Sequence, residues 1–219
     1  MQKQFAVLGL GSFGWSVALT LSEMGCDVLV VDDSYEKIQE ISEQVSYAVK
    51  ADVSDPEALQ ALGGRNLDGV VVAISENLEA SIMATMLSKE MGIPLVLAKA
   101  KDQLQGTILE KVGADVIVYP EKEMGNRVAM NLMAREFMDW ISLSNDYSMV
   151  EILIPDKWVG QSLADLKIRE RFGINVVGTI LDGEVDVTLD PQKPLPAGVI
   201  LIMIGANEIL EKFDSNKKK

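Results

Sequence analysis

The sequence predicts an α/β fold: a Rossmann-type, doubly wound parallel sheet followed by a small α+β C-terminal domain. Three observations predict it. Short β-branched runs, apolar on both faces, alternate with helical patterns over the first two thirds of the chain, as expected for parallel strands buried between helices. The first run meets three glycines, Gly9, Gly11 and Gly14, and then turns helical in "FAVLGLGSFGWSVALTL". Beyond residue 148 the rhythm changes, with two strand patterns joined around Asp182-Gly183, a hairpin signal.

The elements follow in order. The strand candidates are "QFAVLGL", "DVLVVDD", "YAVKAD", "DGVVVAI", "PLVLAKA" and "DVIVYP", with helices expected from near Gly14, Tyr35, Asp55, Asn77 and Gln103. Together they complete one dinucleotide-type domain near Pro120. A longer helix is expected over 121–141, because Met124, Val128, Leu132, Met133, Phe137, Trp140 and Ile141 form one apolar stripe. That stripe suits either its own sheet or a second subunit. The polar stretch "SLSNDYS", residues 142–148, marks the boundary. The expected domains are therefore 1–142, including the helix, and 143–219. In the second, "MVEILIP" reads as a strand, 160–172 as helical, "INVVGTILDGEVDVTL" as a hairpin, and "GVILIMIG" as a last strand before a short helix.

Composition excludes several classes. The 219 residues carry 20 basic and 33 acidic side chains, a net charge of −13. Binding nucleic-acid phosphates needs clustered Lys and Arg, and the basic cluster here is the tail Lys217, Lys218 and Lys219. No uncharged apolar run approaches the ~20 residues of a membrane span. The start "MQKQF" lacks a signal-peptide pattern. Cys26 is the single cysteine, so an intrachain disulfide cannot form. A cytoplasmic location is expected.

The glycines read as a nucleotide cradle. Gly9 permits a tight turn, Gly11 lets the backbone approach a pyrophosphate, and Gly14 lets helix and strand pack closely. The helix N-terminus offers free N–H groups to the phosphates. Asp32 ends the second strand, where an acid accepts hydrogen bonds from ribose hydroxyls; with no Arg adjoining, it argues against a 2′-phosphate. Asp52, Ser75 with Glu76, and Lys99 end the third, fourth and fifth strands, where this fold opens its crevice.

Hydride transfer would need an acid or base beside the nicotinamide. The chain has no histidine. Tyr35, Tyr47, Tyr119 and Tyr147 are followed four residues on by Gln39, Ala51, Glu123 and Glu151, so the Tyr–Lys pair of short-chain dehydrogenases is missing. A sensor is therefore expected rather than an enzyme, with a soluble NAD-dependent oxidoreductase as the alternative and a Rossmann-type redox-sensing transcription regulator as a further rival.

The stretches "FAVLGLGSFGWSVALTLSEMGCDVLVVD", "NLDGVVVAIS", "LEKVGADVIVYPEKEMGNRVA" and "IRERFGINVVGTI" together resemble the KtrA/TrkA-type RCK proteins, cytosolic regulatory subunits of potassium transporters. The resemblance covers nearly the whole chain. It implies an N-terminal RCK domain, a crossover helix and a C-terminal TrkA-C domain. It also implies a dimer that builds an octameric ring under a membrane-embedded KtrB/TrkH-like pore subunit, at the inner face of the membrane. Gly9, Gly11, Phe13 and Gly14 match the family's phosphate loop, Asp32 its ribose acid, and Asp52, Ser75 and Lys99 its nucleotide-lining positions. Ser12 stands where many KtrA sequences carry a loop Arg, so ATP, ADP and NAD(H) all remain candidate ligands. Glu121 matches an acid that helps to hold Mg2+ or another divalent cation near the phosphates. In some relatives the C-terminal domain binds cyclic di-AMP between two copies; Ile168, Arg169, Ile174, Asn175 and Pro191 are the matching candidates.

Overall fold

The computed structural model describes residues 2–55, 66–133 and 137–215. The chain divides into two compact units, Met1–Lys122 and Glu123–Lys219.

The first unit runs β1 (Gln4–Leu8), α1 (Ser12–Glu23), β2 (Asp27–Asp32), α2 (Tyr35–Ile41), β3 (Tyr47–Lys50), β4 (Gly69–Val72), α3 (Leu78–Glu90), β5 (Val96–Lys99), α4 (Gln103–Lys111) and β6 (Val116–Val118). The helix expected near Asp55 lies outside the described residues. All strand pairs are parallel, in the order β3-β2-β1-β4-β5-β6. The continuous apolar runs are explained by burial on both faces. Leu29 and Val31 face one core cluster, Val28 and Val30 the other. Ser34, Asn77 and Asp102 cap α2, α3 and α4 with their side chains. The strand order reverses between β1 and β4, and a crevice opens there at the carboxyl ends of the strands.

Asp115, just before β6, sits at the opposite end of this sheet. Asp115 Oδ2 accepts the N–H of Val96 at 2.7 Å, where β5 begins, and the Lys89 ammonium binds the same carboxylate at 3.0 Å. Both partners hold the Asp115 carboxyl below the usual aspartate value, the Val96 N–H more than Lys89.

Helix α5 covers Pro120–Met133, short of the expected 121–141, and Phe137–Ser142 instead forms strand β7. The expectation failed because apolar residues at 137, 140 and 141 fit a helical stripe and a half-buried strand alike. Tertiary contacts decide. Trp140 is buried in the second core, and its N–H donates to Asn131 Oδ1 at 2.9 Å. Asp139, on the other face of β7, receives Arg127 and Asn131 from α5.

β7 pairs with β8 (Tyr147–Leu153). After a 3-10 turn at Asp156–Trp158 come α6 (Leu163–Leu166), α7 (Ile168–Phe172), β9 (Asn175–Leu181), β10 (Glu184–Asp186), β11 (Ile200–Ala206) and α8 (Asn207–Ser215). The sheet is antiparallel, in the order β10-β9-β11-β8-β7. The expected Asp182-Gly183 turn has φ of 53° and 83°, the pair of positive angles a two-residue hairpin loop needs. The segment expected to be helical over 160–172 breaks in two at Lys167, whose φ is 49°. Among the described residues no helix is long and apolar enough to cross a membrane.

Candidate functional site

The loop from β1 to α1 is shaped by its glycines in three different ways. Gly9 has φ 96°, and a Cβ there would stand 2.8 Å from Ile74 Cγ1. A Cβ on Gly14 would stand 2.0 Å from the Gly9 carbonyl oxygen, so the first turn of α1 packs against the loop with no room for a side chain. Gly11 differs. Its φ of −72° and ψ of 178° are ordinary extended backbone, and no heavy atom lies within 4 Å of where a Cβ would be. The fold does not require glycine at Gly11, and the open space there leaves the main chain accessible. No side chain caps this helix start, which leaves first-turn N–H groups free to receive an anion.

A cleft of about 470 Å3 lies beside this loop, and Gly9, Gly11, Asp32, Asp52, Ser75 and Lys99 all line it. Ser12, Phe13 and Gly14 do not. Ser12 is exposed, Phe13 packs against a core cluster, and Gly14 is buried.

Asp32 is 7% exposed and holds the loop in place. Its Oδ2 accepts the N–H of Leu10 at 2.6 Å and its Oδ1 that of Ser34 at 2.9 Å. Lys37 Nζ stands 3.5 Å from Oδ1. A carboxylate has about four acceptor sites, so capacity for ribose hydroxyls remains. Sequence reasoning missed this structural duty. It also missed Lys37, Asp33 and Asn77, which line the same cleft. Lys37 stands five residues after Asp32, in the first turn of the following helix, and that spacing was the available signal.

Asp52 is exposed, and its Oδ1 accepts the Ser54 hydroxyl at 2.6 Å and the Ser54 N–H at 2.8 Å. The hydroxyl, then the N–H, keeps the Asp52 carboxyl below its ordinary value. Lys99 is 12% exposed, and its ammonium meets Glu121 Oε1 at 2.6 Å. Lys99 in turn pulls the Glu121 carboxyl below the usual glutamate value. The expected phosphate lysine and the expected cation acid are thus paired in the single chain. Among the described residues no three Cys, Asp or Glu side chains cluster as a metal site.

In the second unit the five remaining candidates divide by exposure. Ile168 and Ile174 are buried in its core, while Arg169, Asn175 and Pro191 are exposed. A separate hollow of about 570 Å3, lined among others by Leu163, Thr179, Lys193 and Leu195, includes none of the five.

The family model of the TrkA-N domain matches residues 5–120, and that of the TrkA-C domain matches 149–218. The chain belongs to the TrkA-N/TrkA-C family. This TrkA-N/TrkA-C chain is similar to the Ktr system potassium uptake protein C of Bacillus subtilis (strain 168), at 39% identity over 98% of this chain and 97% of that one. It is similar to the Ktr system potassium uptake protein A of the same organism, at 36% identity over 97% and 96%. Among solved structures, the GsuK RCK domain matches with a TM-score of 0.66 and 18% identity, over 98% of the TrkA-N/TrkA-C chain and 47% of that one, a likeness of fold.

Proposed function

We propose that the chain is a nucleotide-sensing regulatory subunit of a potassium uptake system, changing ion flux through a membrane-embedded partner according to the adenine nucleotide in its cleft. Gly11 carries the nucleotide reading: a glycine with ordinary backbone angles and open space above it, at the lip of a cleft that also holds Asp32 and Lys99. Likeness to the Ktr proteins along nearly the whole chain supports the potassium reading. ATP, ADP and NAD(H) are the candidate ligands, with Glu121 as one ligand for a cation at the phosphates. Occupancy acts as a signal and not as a reagent. A ligand that prefers one shape of an assembly shifts it toward that shape, whereas equal affinity for both shifts nothing.

In this reading the chain works in the cytoplasm as a dimer that builds an octameric ring against the pore subunit, and nucleic acid is not a partner. Met124, Val128 and Leu132, spaced four apart and all exposed on α5, supply an apolar surface for self-association. The exposed Arg169 and Asn175 are the polar groups through which a pair of TrkA-C units would hold cyclic di-AMP. Equilibrium dialysis with labelled cyclic di-AMP tests that part, and no retention at micromolar protein removes it. The main test is reconstitution with the pore subunit, comparing potassium flux under ATP, ADP and NADH. Different flux is expected; identical flux under all three refutes nucleotide gating.

A further inference from the structure

Gln105 lies in the first turn of α4 and is 3% exposed. A glutamine so deeply buried needs partners for both ends of its carboxamide. Its Oε1 accepts the N–H of Lys101 at 3.1 Å, and its Nε2 donates to the carbonyl oxygen of Ser75 at 3.3 Å. Its own main-chain N–H donates to Oδ1 of the capping Asp102 at 2.8 Å, which fixes the residue on the helix. Ser75 follows β4 and Lys101 follows β5. The ladder between these strands runs from Val70↔Val96 to Val72↔Ala98. Beyond it the two segments lead to different helices, and the carboxamide joins them. Both segments line the cleft, through Ser75, Glu76 and Asn77 on one side and Lys99 on the other.

We propose that Gln105 is a positioning residue for the cleft: by joining Ser75 to Lys101, its carboxamide sets the spacing of the two strand ends that receive the ligand. This rests on the reading of the cleft as a nucleotide site. The chemistry calls for an amide. The Ser75 carbonyl needs a donor and the Lys101 N–H an acceptor, and a carboxamide offers both without a charge. An ionised glutamate would set a carboxylate against a carbonyl. A methionine would fill the space and meet neither partner.

The test is titration calorimetry of the full chain with ATP, ADP and NADH, on wild type, Gln105→Met, Gln105→Asn and Asp115→Asn. Asparagine is polar but one methylene short of both partners. Asp115→Asn loses the ion pair with Lys89 at the far end of the sheet and controls for loss of stability alone. Both Gln105 variants should bind the wild-type ligand ~10-fold more weakly, the scale of buried hydrogen bonds lost. Asp115→Asn should lower Tm and leave affinity unchanged. The Lys101 amide should exchange slowly with solvent in wild type and fast in both Gln105 variants. Wild-type affinity in the Gln105 variants overturns the proposal, and so does an equal loss of affinity in Asp115→Asn. If Gln105→Met does not fold, Gln105→Asn decides between these outcomes. Failure of wild type to bind any of the three nucleotides overturns the reading of the cleft, and the proposal with it.

Discussion

Gly11→Ala adds one methyl group at the lip of the cleft. In the free protein that methyl meets nothing within 4 Å, and alanine adopts a φ of −72° and ψ of 178° without strain. Two small terms act on stability. Alanine restricts the unfolded chain, a gain of ~0.4–1 kcal/mol. Alanine is also a poorer N-cap than glycine, a loss of up to ~1 kcal/mol. They nearly cancel, and because 1 kcal/mol moves the Tm of a unit the size of Met1–Lys122 by ~4 °C, the melting temperature should stay within that range of wild type. The ligand meets a different situation. On the proposed reading a pyrophosphate drawn to the first-turn N–H groups comes to rest against the Gly11 backbone, and the new methyl occupies that space. Forcing an extra methyl into a filled contact costs ~1–3 kcal/mol, or ~5- to 150-fold in affinity. Scanning calorimetry gives the Tm and titration calorimetry the affinity for ATP, ADP and NADH. Unchanged affinity would mean that the ligand does not rest on this loop. A fall in Tm well beyond 4 °C would mean that the space above Gly11 is not open.

Gly14→Ala should do the reverse, because its Cβ would stand 2.0 Å from the Gly9 carbonyl oxygen; a loss of at least ~1–3 kcal/mol should appear in a denaturant melt, and wild-type stability would disprove the close packing. Asp32→Ala should weaken adenine-nucleotide binding by ~10- to 100-fold. It should also cost ~1–3 kcal/mol of stability, because the buried Leu10 N–H loses its acceptor; unchanged affinity in titration calorimetry removes Asp32 from the site. Asp115 has its carboxyl held below the ordinary value in the folded state, so it contributes stability above the usual aspartate range, lost as pH falls through the folded value. Plots of denaturant midpoint against pH should therefore be shallower on the acid side for Asp115→Asn, and identical slopes would refute the assignment.

The parallel sheet was legible because its central strands β1, β2 and β4 are apolar and largely buried, and each is followed by a turn signal. Gly9, Asp32, Asp52, Ser75 and Lys99 converge on one cleft because each follows or ends a parallel strand, and parallel strands end on the same side. The expected helix over 121–141 overran for a physical reason. Trp140 has no local preference strong enough to separate strand from helix, and the contacts that decide it come from Asn131 and from a core assembled later in the chain. Gln105 left no trace in the sequence: a glutamine in a first helical turn is ordinary, and its importance comes from two main-chain groups, one of them thirty positions away. For the same reason Asp32 could be read as a ligand acid but not as the anchor of Leu10.

The clasp formed by Asp115 with Val96 and Lys89 lies at the amino-terminal edge of its sheet, and none of the three lines the cleft beside Gly11. The acid of this clasp therefore reports on scaffold and not on cargo. Related chains can be sorted accordingly. One that keeps the acid of this clasp but carries a bulky residue at the Gly11 position should build the same sheet and bind no nucleotide, and kinship alone is a poor guide to which relatives respond to metabolites.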